Sequence, residues 1–295
     1  MTQDSLIGRT IAGYRLQQHI GEGGTATVYK AERPEGGLAA VKVLRTRLAQ
    51  DPVAIKRFLR EAEFGTRIDH PNIVKTYTFG QTEDLYYLAM EWVDGEALEK
   101  FAIRSGQLAP ALVATIIEQI GAALTAAHAQ SIIHRDLKPA NIMYNPESQR
   151  AVLLDFGIAR DSDLKPEERL TRTGFFVGTL QYVAPEALSG ELVNQQADVY
   201  SLATIAYYLL TGALPYNGRS PRELFQQLLT QAPTPLNQAV KGLRFPQPVE
   251  DAMTAGLERD LGKRCKTVDE FVGRLCTALR QGGERKSFLK SIFGK

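Results

Sequence analysis

The octet HRDLKPAN, at positions 134–141, decides how the rest of this 295-residue chain is interpreted. Six of its eight residues are charged, polar or Pro, yet apolar segments lie on both sides of it. AALTAAHAQSII comes directly before it, and IMY and then AVLLDFG follow. Charged side chains are rarely buried without partners. The question is therefore what two positive charges and one negative charge do between buried neighbours.

Length and composition limit the classes of protein to consider. The chain is long enough for two lobes or domains, and 44% apolar and 23% charged residues are ordinary for a globular protein. The net charge of +2 gives no case for nucleic-acid binding. Cys265 and Cys276 are too few for a disulfide framework or a zinc site, so we expect buried thiols. Without a signal-peptide pattern or eighteen consecutive apolar residues, we expect a cytoplasmic protein.

The chain has two halves of different texture, joined near Val93. Three short segments with β-branched and aromatic residues alternate with glycine-rich turns, as strands do: YRLQQHI, ATVYKAE and LAAVKVL. Asp51 and Pro52 then begin a helix, and NIVKTYTFGQ and DLYYLAMEWV return to strand texture. After residue 94 helices dominate, namely PALVATIIEQIGAALTAAHA, ADVYSLATIAYYLLTG and TVDEFVGRLCTALR, the last with a capping box of Thr267 and Glu270. The cleft between the halves is the expected ligand site.

The first glycine-rich turn, IGEGGTATV at positions 20–28, allows backbone N–H groups to surround an anion. A plain hairpin turn is the alternative, and this stretch alone does not decide between the two. A dinucleotide-binding fold is excluded, because its glycine loop must begin a helix, whereas ATVYKAE continues as a strand.

Lys42, in AAVKVL, points to the opposite face of its strand from Val41 and Val43. If one face packs against the helix and the other faces the cleft, the lysine lies in the cleft, where its ammonium can pair with phosphate oxygens. It would need a carboxylate to hold it, and Glu61 on the predicted helix is the candidate. A solvated lysine and an exposed glutamate are the alternative.

Six motifs follow one another in a fixed order: the glycine loop, AVK, HRDLKPAN, DFG, GTLQYVAPE and ADVYSLA. In this order they resemble the eukaryotic-type (Hanks-type) Ser/Thr protein kinases, in particular the bacterial branch, over about residues 14–280. The resemblance implies an α+β, bilobal protein-kinase-like fold. Its small β-rich N-lobe with one key helix would span residues 14–93, and its larger helical C-lobe residues 94–281. Residues 1–13 would be a lead-in, and residues 282–295 a basic amphipathic tail or the start of a linker.

The resemblance also implies that the charged octet is a catalytic loop for transfer of the γ-phosphoryl group of ATP to Ser or Thr hydroxyls. Such a transfer needs positioned groups and neutralised charge more than covalent help. Asp136 would orient the substrate hydroxyl and accept its proton, and Lys138 would offset the charge of the phosphoryl group. Asn141 and Asp155 would be ligands of Mg²⁺, which Mn²⁺ can replace.

The implied nucleotide site is built around Lys42, which Glu61 would hold against the phosphates as part of the catalytic set. Met90 takes the gatekeeper position, and the backbone of Glu91 and Val93 would bind the adenine base. The full set implied for ATP lies in the glycine loop, on both sides of the base and at the hinge: Ile20, Gly21, Glu22, Gly23, Gly24, Thr25, Ala26, Val28, Ala40, Lys42, Met90, Glu91, Val93 and Met143.

Two residues depart from the expected pattern. Ala26 stands where the family has its third loop glycine. If that position needs a positive φ, alanine costs on the order of 1 kcal/mol, and we expect a mild loss of nucleotide affinity. Gly65 lies one turn beyond Glu61, and an interior glycine weakens a helix by roughly 0.5–1 kcal/mol. This would make the Lys42–Glu61 pair easier to break.

The segment between Asp155 and Glu186 resembles an activation segment, and LTRTG places Thr171 and Thr173 where bacterial relatives are autophosphorylated. A phosphate on either threonine would relieve the repulsion between the guanidinium groups of Arg135 and Arg160 and order the segment. An ordinary solvated loop is the alternative.

Several charged and polar residues are expected to be structural supports. We expect Glu186 to pair with Arg264, and Asp198 to accept backbone N–H bonds from the catalytic loop. His128 is expected to be a satisfied core histidine, and His134 to pack without taking part in the chemistry.

The implied partners are proteins that carry Ser or Thr, and a second copy of the chain for trans-autophosphorylation; nucleic acid is not among them. Membrane contact is expected only through the tail, where Phe288, Leu289, Ile292 and Phe293 recur at helical spacing among basic residues. If the natural chain continues beyond the tail, it would be tethered to a membrane.

Two other functions compete with the protein kinase. One is a nucleotide-binding pseudokinase or scaffold, and the other is a small-molecule kinase. The presence of every implied catalytic and metal-binding residue argues against the first. GTLQYVAPE argues against the second, since the resemblance makes it a docking surface for a polypeptide.

Overall fold

The computed structural model describes residues 6–83, 85–155, 180–189 and 193–293, with side chains as far as residue 281. In these ranges the strands are β1 (Thr10–Ile11), β2 (Tyr14–Glu22), β3 (Ala26–Glu32), β4 (Leu38–Leu44), β5 (Thr76–Thr82), β6 (Leu85–Glu91), β7 (Glu96–Ala97), β8 (Ile142–Asn145) and β9 (Arg150–Leu153). The helices are α1 (Pro52–Arg67), α2 (Leu98–Ser105), α3 (Pro110–Ala129), α4 (Pro185–Ser189), α5 (Gln196–Thr211), α6 (Pro221–Thr230), α7 (Gln247–Leu257) and α8 (Val268–Phe293).

The N-terminal half is a six-stranded sheet in the order β1-β2-β3-β4-β6-β5, with antiparallel neighbours. β3 and β4 have the bounds that the sequence predicts. α1 begins at Pro52, and the Asp51 side chain accepts a hydrogen bond from the Val53 N–H at 2.9 Å. The bilobal fold is thereby confirmed in its smaller half, a sheet with one helix.

The two faces of the sheet are used differently from the sequence expectation. Ala40, Lys42 and Leu44 alternate on one face of β4, and Leu44 packs in one cluster with Phe58 and Ala62 of α1. The expectation that helix and cleft lie on opposite faces is therefore wrong. A single face serves both, because the carboxylate that holds Lys42 comes from α1.

The opposite face of the sheet packs into a separate core. Val41 and Val43 of β4 join Tyr29 and other buried apolar side chains from β2 and β6 there. Ile11 of β1 belongs to the same core and is 2% exposed, and β1 pairs with β2. The lead-in before Tyr14 thus contributes a strand and a core residue to this half.

The C-terminal half is built on a helical core. α5 is almost wholly buried and ends at Thr211, and the φ of 70° at Gly212 gives a left-handed cap. α3 packs against α5 and α8, and α7 against α5 and α8. At the start of α8, Glu270 N–H bonds to Thr267 Oγ1 at 3.1 Å, as the predicted capping box requires, while the Glu270 carboxylate accepts from Lys266 N–H at 2.7 Å.

One helix of the described ranges, α3, is long and apolar enough to cross a membrane by length and composition. Core helices of globular proteins pass the same test. Its packed side includes Val113, Ile117 and Ile120, each 0% exposed within the larger core.

The connection from α1 to β5 joins the two halves directly. The sequence predicts a strand over NIVKTYTFGQ, but β5 begins only at Thr76. The preceding residues pair with β9 instead: Leu153 N–H bonds to Asn72 O at 2.8 Å and Val74 N–H to Leu153 O at 2.9 Å. This pairing fixes β9, and with it Asp155, against the sheet that carries Lys42.

The tail continues α8. The backbone remains helical as far as Phe293 with no break at residue 281, and the side chains from residue 282 onward lie outside the described part.

Candidate active site

The octet forms a tight loop after α3, and a buried carboxylate of α5 holds its backbone. Asp198 Oδ2 accepts from His134 N–H at 2.8 Å and Oδ1 from Arg135 N–H at 3.0 Å. His128 Nε2 lies 2.7 Å from Asp198 Oδ2. The predicted role of Asp198 is confirmed, and His128 is a satisfied core histidine as expected. Arg135 has a φ of 62°, a left-handed conformation that the Asp198 contact helps to hold.

His134 is fully buried, and burial lowers the pKa of its imidazole below the ordinary value. A neutral imidazole suits the predicted packing role. Its Nδ1 lies 3.3 Å from the Asp136 N–H, so the ring helps to shape the turn that presents Asp136.

Two polar side chains of the octet, those of Lys138 and Asn141, contact Asp136. Lys138 Nζ lies 3.1 Å from Asp136 Oδ2. Asn141 Nδ2 donates to Asp136 O at 2.8 Å and to its Oδ2 at 3.2 Å. Because the amide nitrogen of Asn141 is turned toward Asp136, its oxygen remains as the acceptor. The side chains of Asp136 and Lys138 are 16% and 21% exposed, so both stay accessible to a ligand.

Lys42 joins the two halves of the molecule. Its Nζ lies 2.7 Å from Glu61 Oε1 on α1 and 2.9 Å from Asp155 Oδ2 after β9. Burial disfavours the charge on Lys42, but Asp155 and Glu61 outweigh it and raise the pKa of the ammonium above its ordinary value. Burial raises the pKa of Glu61, and its contact with Lys42 only partly opposes this. The structure thus brings together three residues from three separate segments of the chain: Lys42 of AVK, Glu61 of α1 and Asp155 of DFG.

The glycine loop connects β2 and β3, and Gly23 N–H bonds to Ala26 O at 2.8 Å to close the turn. Ala26 is the first residue of β3, paired with Leu44 and 1% exposed. It is not among the residues with positive φ in the described ranges. The expected backbone strain at Ala26 is therefore absent, because the position is extended strand.

The residues expected around the adenine base share one face of the sheet. Val28 lies opposite Lys42 in the β3–β4 register, and Ala40 lies opposite Met90 in the β4–β6 register, so all four point the same way. Met143 lies opposite Val152 in the β8–β9 hairpin. Val152 packs in the cluster that contains Met90, with Ala40 and Val93 against it, so Met143 faces that group.

The remaining members of the predicted nucleotide set border the same region. Ile20 is 47% exposed at the end of β2, next to the loop, and Glu91 ends β6 where the chain passes to the C-terminal half. The Glu91 side chain pairs with Arg150 Nη1 of β9 at 2.9 Å. Sequence reasoning missed Arg150, because an arginine in a short hairpin has no signal that distinguishes it from a solvated one.

Gly65 has a packing reason that helix propensity does not reveal. A Cβ at this position would lie 2.4 Å from Thr76 Oγ1. The glycine allows α1 to approach β5 closely, beside the Glu61 that reaches Lys42. Close packing thus accounts for Gly65, and the expected weakening of the Lys42–Glu61 pair stays a prediction.

The end of the activation segment is fixed to the helical core by a buried ion pair. Arg264 Nη1 and Nη2 lie 2.7 and 3.0 Å from the two carboxylate oxygens of Glu186. Arg264 is 1% exposed and Glu186 5% exposed, which confirms the predicted pair. Thr171 and Thr173 lie outside the described residues.

Sequence comparisons agree with this geometry. The family model described as "Protein kinase domain" matches residues 14–277. The Ser/Thr-protein kinase pkn3 of Myxococcus xanthus is 36% identical over 279 residues, which cover 92% of this chain and 51% of that protein. PrkC of Bacillus subtilis is 36% identical over 275 residues, 92% of this chain and 42% of that protein. The chain thus spans about half the length of these relatives.

Solved structures show the same fold. The kinase domain of Mycobacterium tuberculosis PknI superposes with a TM-score of 0.70 at 30% identity, over 92% of this chain and 98% of that one. Rad53 residues 1–466, solved with AMP-PNP, gives a TM-score of 0.73 at 28% identity over 90% and 65% of the two chains. The two-lobed fold, the Lys42–Glu61–Asp155 contacts and the family match lead to one conclusion: this chain belongs to the protein kinase domain family.

Proposed function

We propose that this chain transfers the γ-phosphoryl group of ATP to Ser and Thr hydroxyls of proteins in a Mg²⁺-dependent reaction. Membership of the family implies ATP, a divalent cation and protein substrates. The matched relatives are named Ser/Thr-protein kinases, which supports the choice of acceptor.

One observation carries the proposal: a single ammonium connects the two lobes through two carboxylates. Lys42 Nζ contacts Glu61 Oε1 at 2.7 Å and Asp155 Oδ2 at 2.9 Å. Two carboxylates from different lobes place the ammonium where phosphate oxygens and a metal would meet.

The site offers few oxygen donors, which fits Mg²⁺ bound jointly by protein and substrate phosphates better than a metal whose ligands all come from the protein. In the described ranges no group of three or more His, Cys, Asp or Glu side chains is placed to hold a metal. Mg²⁺ is bound through one or two carboxylates together with substrate phosphates. Asp155 would supply the carboxylate and Asn141 the amide oxygen. When bound, the cation would neutralise charge on the phosphate oxygens.

The chain's own residues divide the remaining work. Asp136, with Asn141 and Lys138 around it, would orient the acceptor hydroxyl and take its proton. Lys138 Nζ, 3.1 Å from Asp136 Oδ2, would offset the charge that develops on the transferred group. Lys42 would hold the phosphates for in-line attack, with Glu61 fixing its position.

The apolar side chains that share the Lys42 face would bind the adenine base. Val28 and Ala40 would cover one side of the ring and Met143 the other, with Met90 at the back. The backbone of the hinge around Glu91 and Val93 would give the hydrogen bonds, as the family resemblance implies.

A transfer assay with γ-labelled ATP tests the proposal. We expect label on a generic basic protein in the presence of Mg²⁺, and its loss on addition of a chelator. Asp136→Asn should lower kcat by about 10²- to 10⁴-fold. Asp251→Asn is the matched control, since Asp251 is exposed and accepts a hydrogen bond from Gln247 Nε2 at 2.8 Å, within its own helix. A nucleotide-binding scaffold would bind ATP and transfer no label, which would overturn the proposal.

We also propose that Thr171 and Thr173 are autophosphorylated, on the strength of the LTRTG spacing alone. A phosphate there adds charge that guanidinium groups can bind. Incubation with Mg-ATP should add phosphate to both residues in wild type and to neither in Asp136→Asn, as read by peptide mass spectrometry. A fully active sample with both threonines unmodified would refute the assignment.

A further inference from the structure

Two arginines directly after β4 lie beside the glycine loop. β3 and β4 pair from Ala26 and Leu44 onward, so the residue after Leu44 meets the loop that precedes Ala26. The Arg45 N–H donates to Thr25 O at 2.9 Å. This backbone contact extends the β3–β4 ladder by one step and brings the following side chains within reach of the loop.

The two guanidinium groups then bind the loop itself. Arg45 Nη1 donates to Gly23 O at 3.3 Å, and Arg45 Nη2 lies 2.9 Å from Glu22 Oε2. Arg47 Nη2 donates to Gly24 O at 3.0 Å. The segment after β4, which is anchored to the sheet, thus binds two consecutive carbonyl groups of the loop and the loop's one carboxylate.

Among the residues that the structure describes, packing does not hold this loop. Within that part of the chain, a Cβ built on Gly21 or Gly24 would meet nothing within 4 Å, and one on Gly23 would meet only Ala26 O, at 3.5 Å. Glu22, Gly23, Gly24 and Thr25 are all exposed. Glycine loops have high backbone entropy, which a ligand must overcome when it orders them. Hydrogen bonds from a fixed partner lower that entropy before the ligand arrives.

We propose that Arg45 and Arg47 are positioning residues that hold the glycine loop ready for the phosphate end of the nucleotide. This rests on the proposed function, since it takes the loop to bind ATP phosphates. Glu22 neutralises one of the two guanidinium charges, and the other leaves a local excess of one positive charge that favours an anion. The loop conformation is the larger part of the effect, set by the two terminal nitrogens of Arg45 and by Nη2 of Arg47.

Loss of the two arginines should weaken the binding of ATP but not of adenosine, whereas general damage to the fold would weaken both. Adenosine contacts the base site but has no phosphates, so its affinity should not depend on the arginines. ATP affinity should depend on them. The Arg45→Ala/Arg47→Ala double variant should bind ATP about 5- to 20-fold more weakly, while adenosine changes by less than about two-fold. KM for ATP should rise accordingly, with a smaller change in kcat.

Calorimetric titration of the whole chain with ATP and, separately, with adenosine is the test. Arg9→Ala is the matched control, because Arg9 also forms an exposed ion pair in the N-lobe, 2.6 Å from Glu83, away from the loop. Arg45→Lys/Arg47→Lys keeps both charges and removes the fork geometry, so it too should weaken ATP more than the control does.

Three results overturn the inference. The first is ATP binding by the double alanine variant equal to that of Arg9→Ala. The second is an equal loss of ATP and adenosine affinity, which would mean general damage. The third is full ATP affinity in the lysine variant, which would reduce the role to charge alone. If the wild-type chain bound neither ATP nor adenosine, that result would refute the proposed function itself, and it is distinct from these three results.

Discussion

Removal of the Glu186 charge should destabilise the larger lobe more than any change of a surface ion pair. Arg264 is 1% exposed, and both of its terminal nitrogens contact Glu186, at 2.7 and 3.0 Å. It also donates to Gln196 O at 2.9 Å and to Glu258 O at 2.6 Å, so its guanidinium cannot turn outward without breaking backbone contacts. In Glu186→Gln the shape is kept, but a buried cation loses its counter-ion.

The expected loss follows from the geometry. Breaking a buried, hydrogen-bonded pair by removing one partner costs about 3–5 kcal/mol. A domain is stable by only about 5–15 kcal/mol, so this is a large share. With a urea m-value near the upper end of about 1–3 kcal/mol/M, the midpoint should fall by about 1–2 M. Circular dichroism at the helical band reports the unfolding of the helical lobe, which contains the pair.

Two further variants separate burial of charge from loss of a contact. Glu83→Gln breaks the surface pair between Glu83 and Arg9, whose side chains are 72% and 42% exposed, respectively. This variant should change the free energy of unfolding by less than about 1 kcal/mol. Glu186→Leu combined with Arg264→Met leaves no charge in the site and should be less destabilised than Glu186→Gln. A Glu186→Gln midpoint no lower than that of Glu83→Gln would refute the reasoning.

Three other changes test the packing and electrostatics of the site. Gly65→Ala puts a Cβ 2.4 Å from Thr76 Oγ1, so urea titration should show that the free energy of unfolding falls by about 1–3 kcal/mol. Thr76→Ala in the same chain should largely restore it. Helix propensity alone would instead give a gain in stability, and such a gain would contradict this prediction. Burial raises the pKa of Glu61, and protonated Glu61 no longer pairs with Lys42, so kcat/KM for ATP should fall as the pH is lowered from about 8 to about 6. Glu61→Gln should remove this acidic limb of the pH profile. An unchanged limb in that variant would mean that another group titrates. Asp198→Asn keeps the shape but weakens three acceptor contacts, so kcat should fall about 10- to 100-fold with little change in KM for ATP, and an unaltered kcat would count against its positioning role.

Local signals in the chain were sufficient for several of the elements, whereas the site residues were predicted through the family resemblance. ATVYKAE and LAAVKVL have the bounds of β3 and β4, and Asp51 caps α1 as its position before Pro52 indicates. These features depend on neighbours in sequence, such as alternation, N-cap chemistry and turn residues, and a single chain displays them directly. The pairing of Glu186 with Arg264 was also predicted, although only through the family resemblance.

Predictions that required a view of packing went wrong or could not be made. The helix was expected behind Lys42, yet α1 packs on the face of β4 that carries Lys42, with Leu44 against Phe58. The sequence indicated only that Gly65 weakens a helix, and it did not reveal that the glycine allows α1 to approach Thr76. In both cases the deciding neighbour comes from another element, and no local periodicity of α1 records which element that is.

The sequence by itself determined which residue types the chain offers to a phosphate and a metal, and the order in which they occur. It also determined the strands and helices that carry them, because those depend on local backbone preferences. Only the tertiary structure decided that one ammonium, at Lys42, meets carboxylates from α1 and from the end of β9 at 2.7 and 2.9 Å. It also decided that Arg45 and Arg47 reach the glycine loop. Contacts of this kind depend on how sheet and helices pack in three dimensions, and charged side chains are alike in sequence until that packing gives them partners.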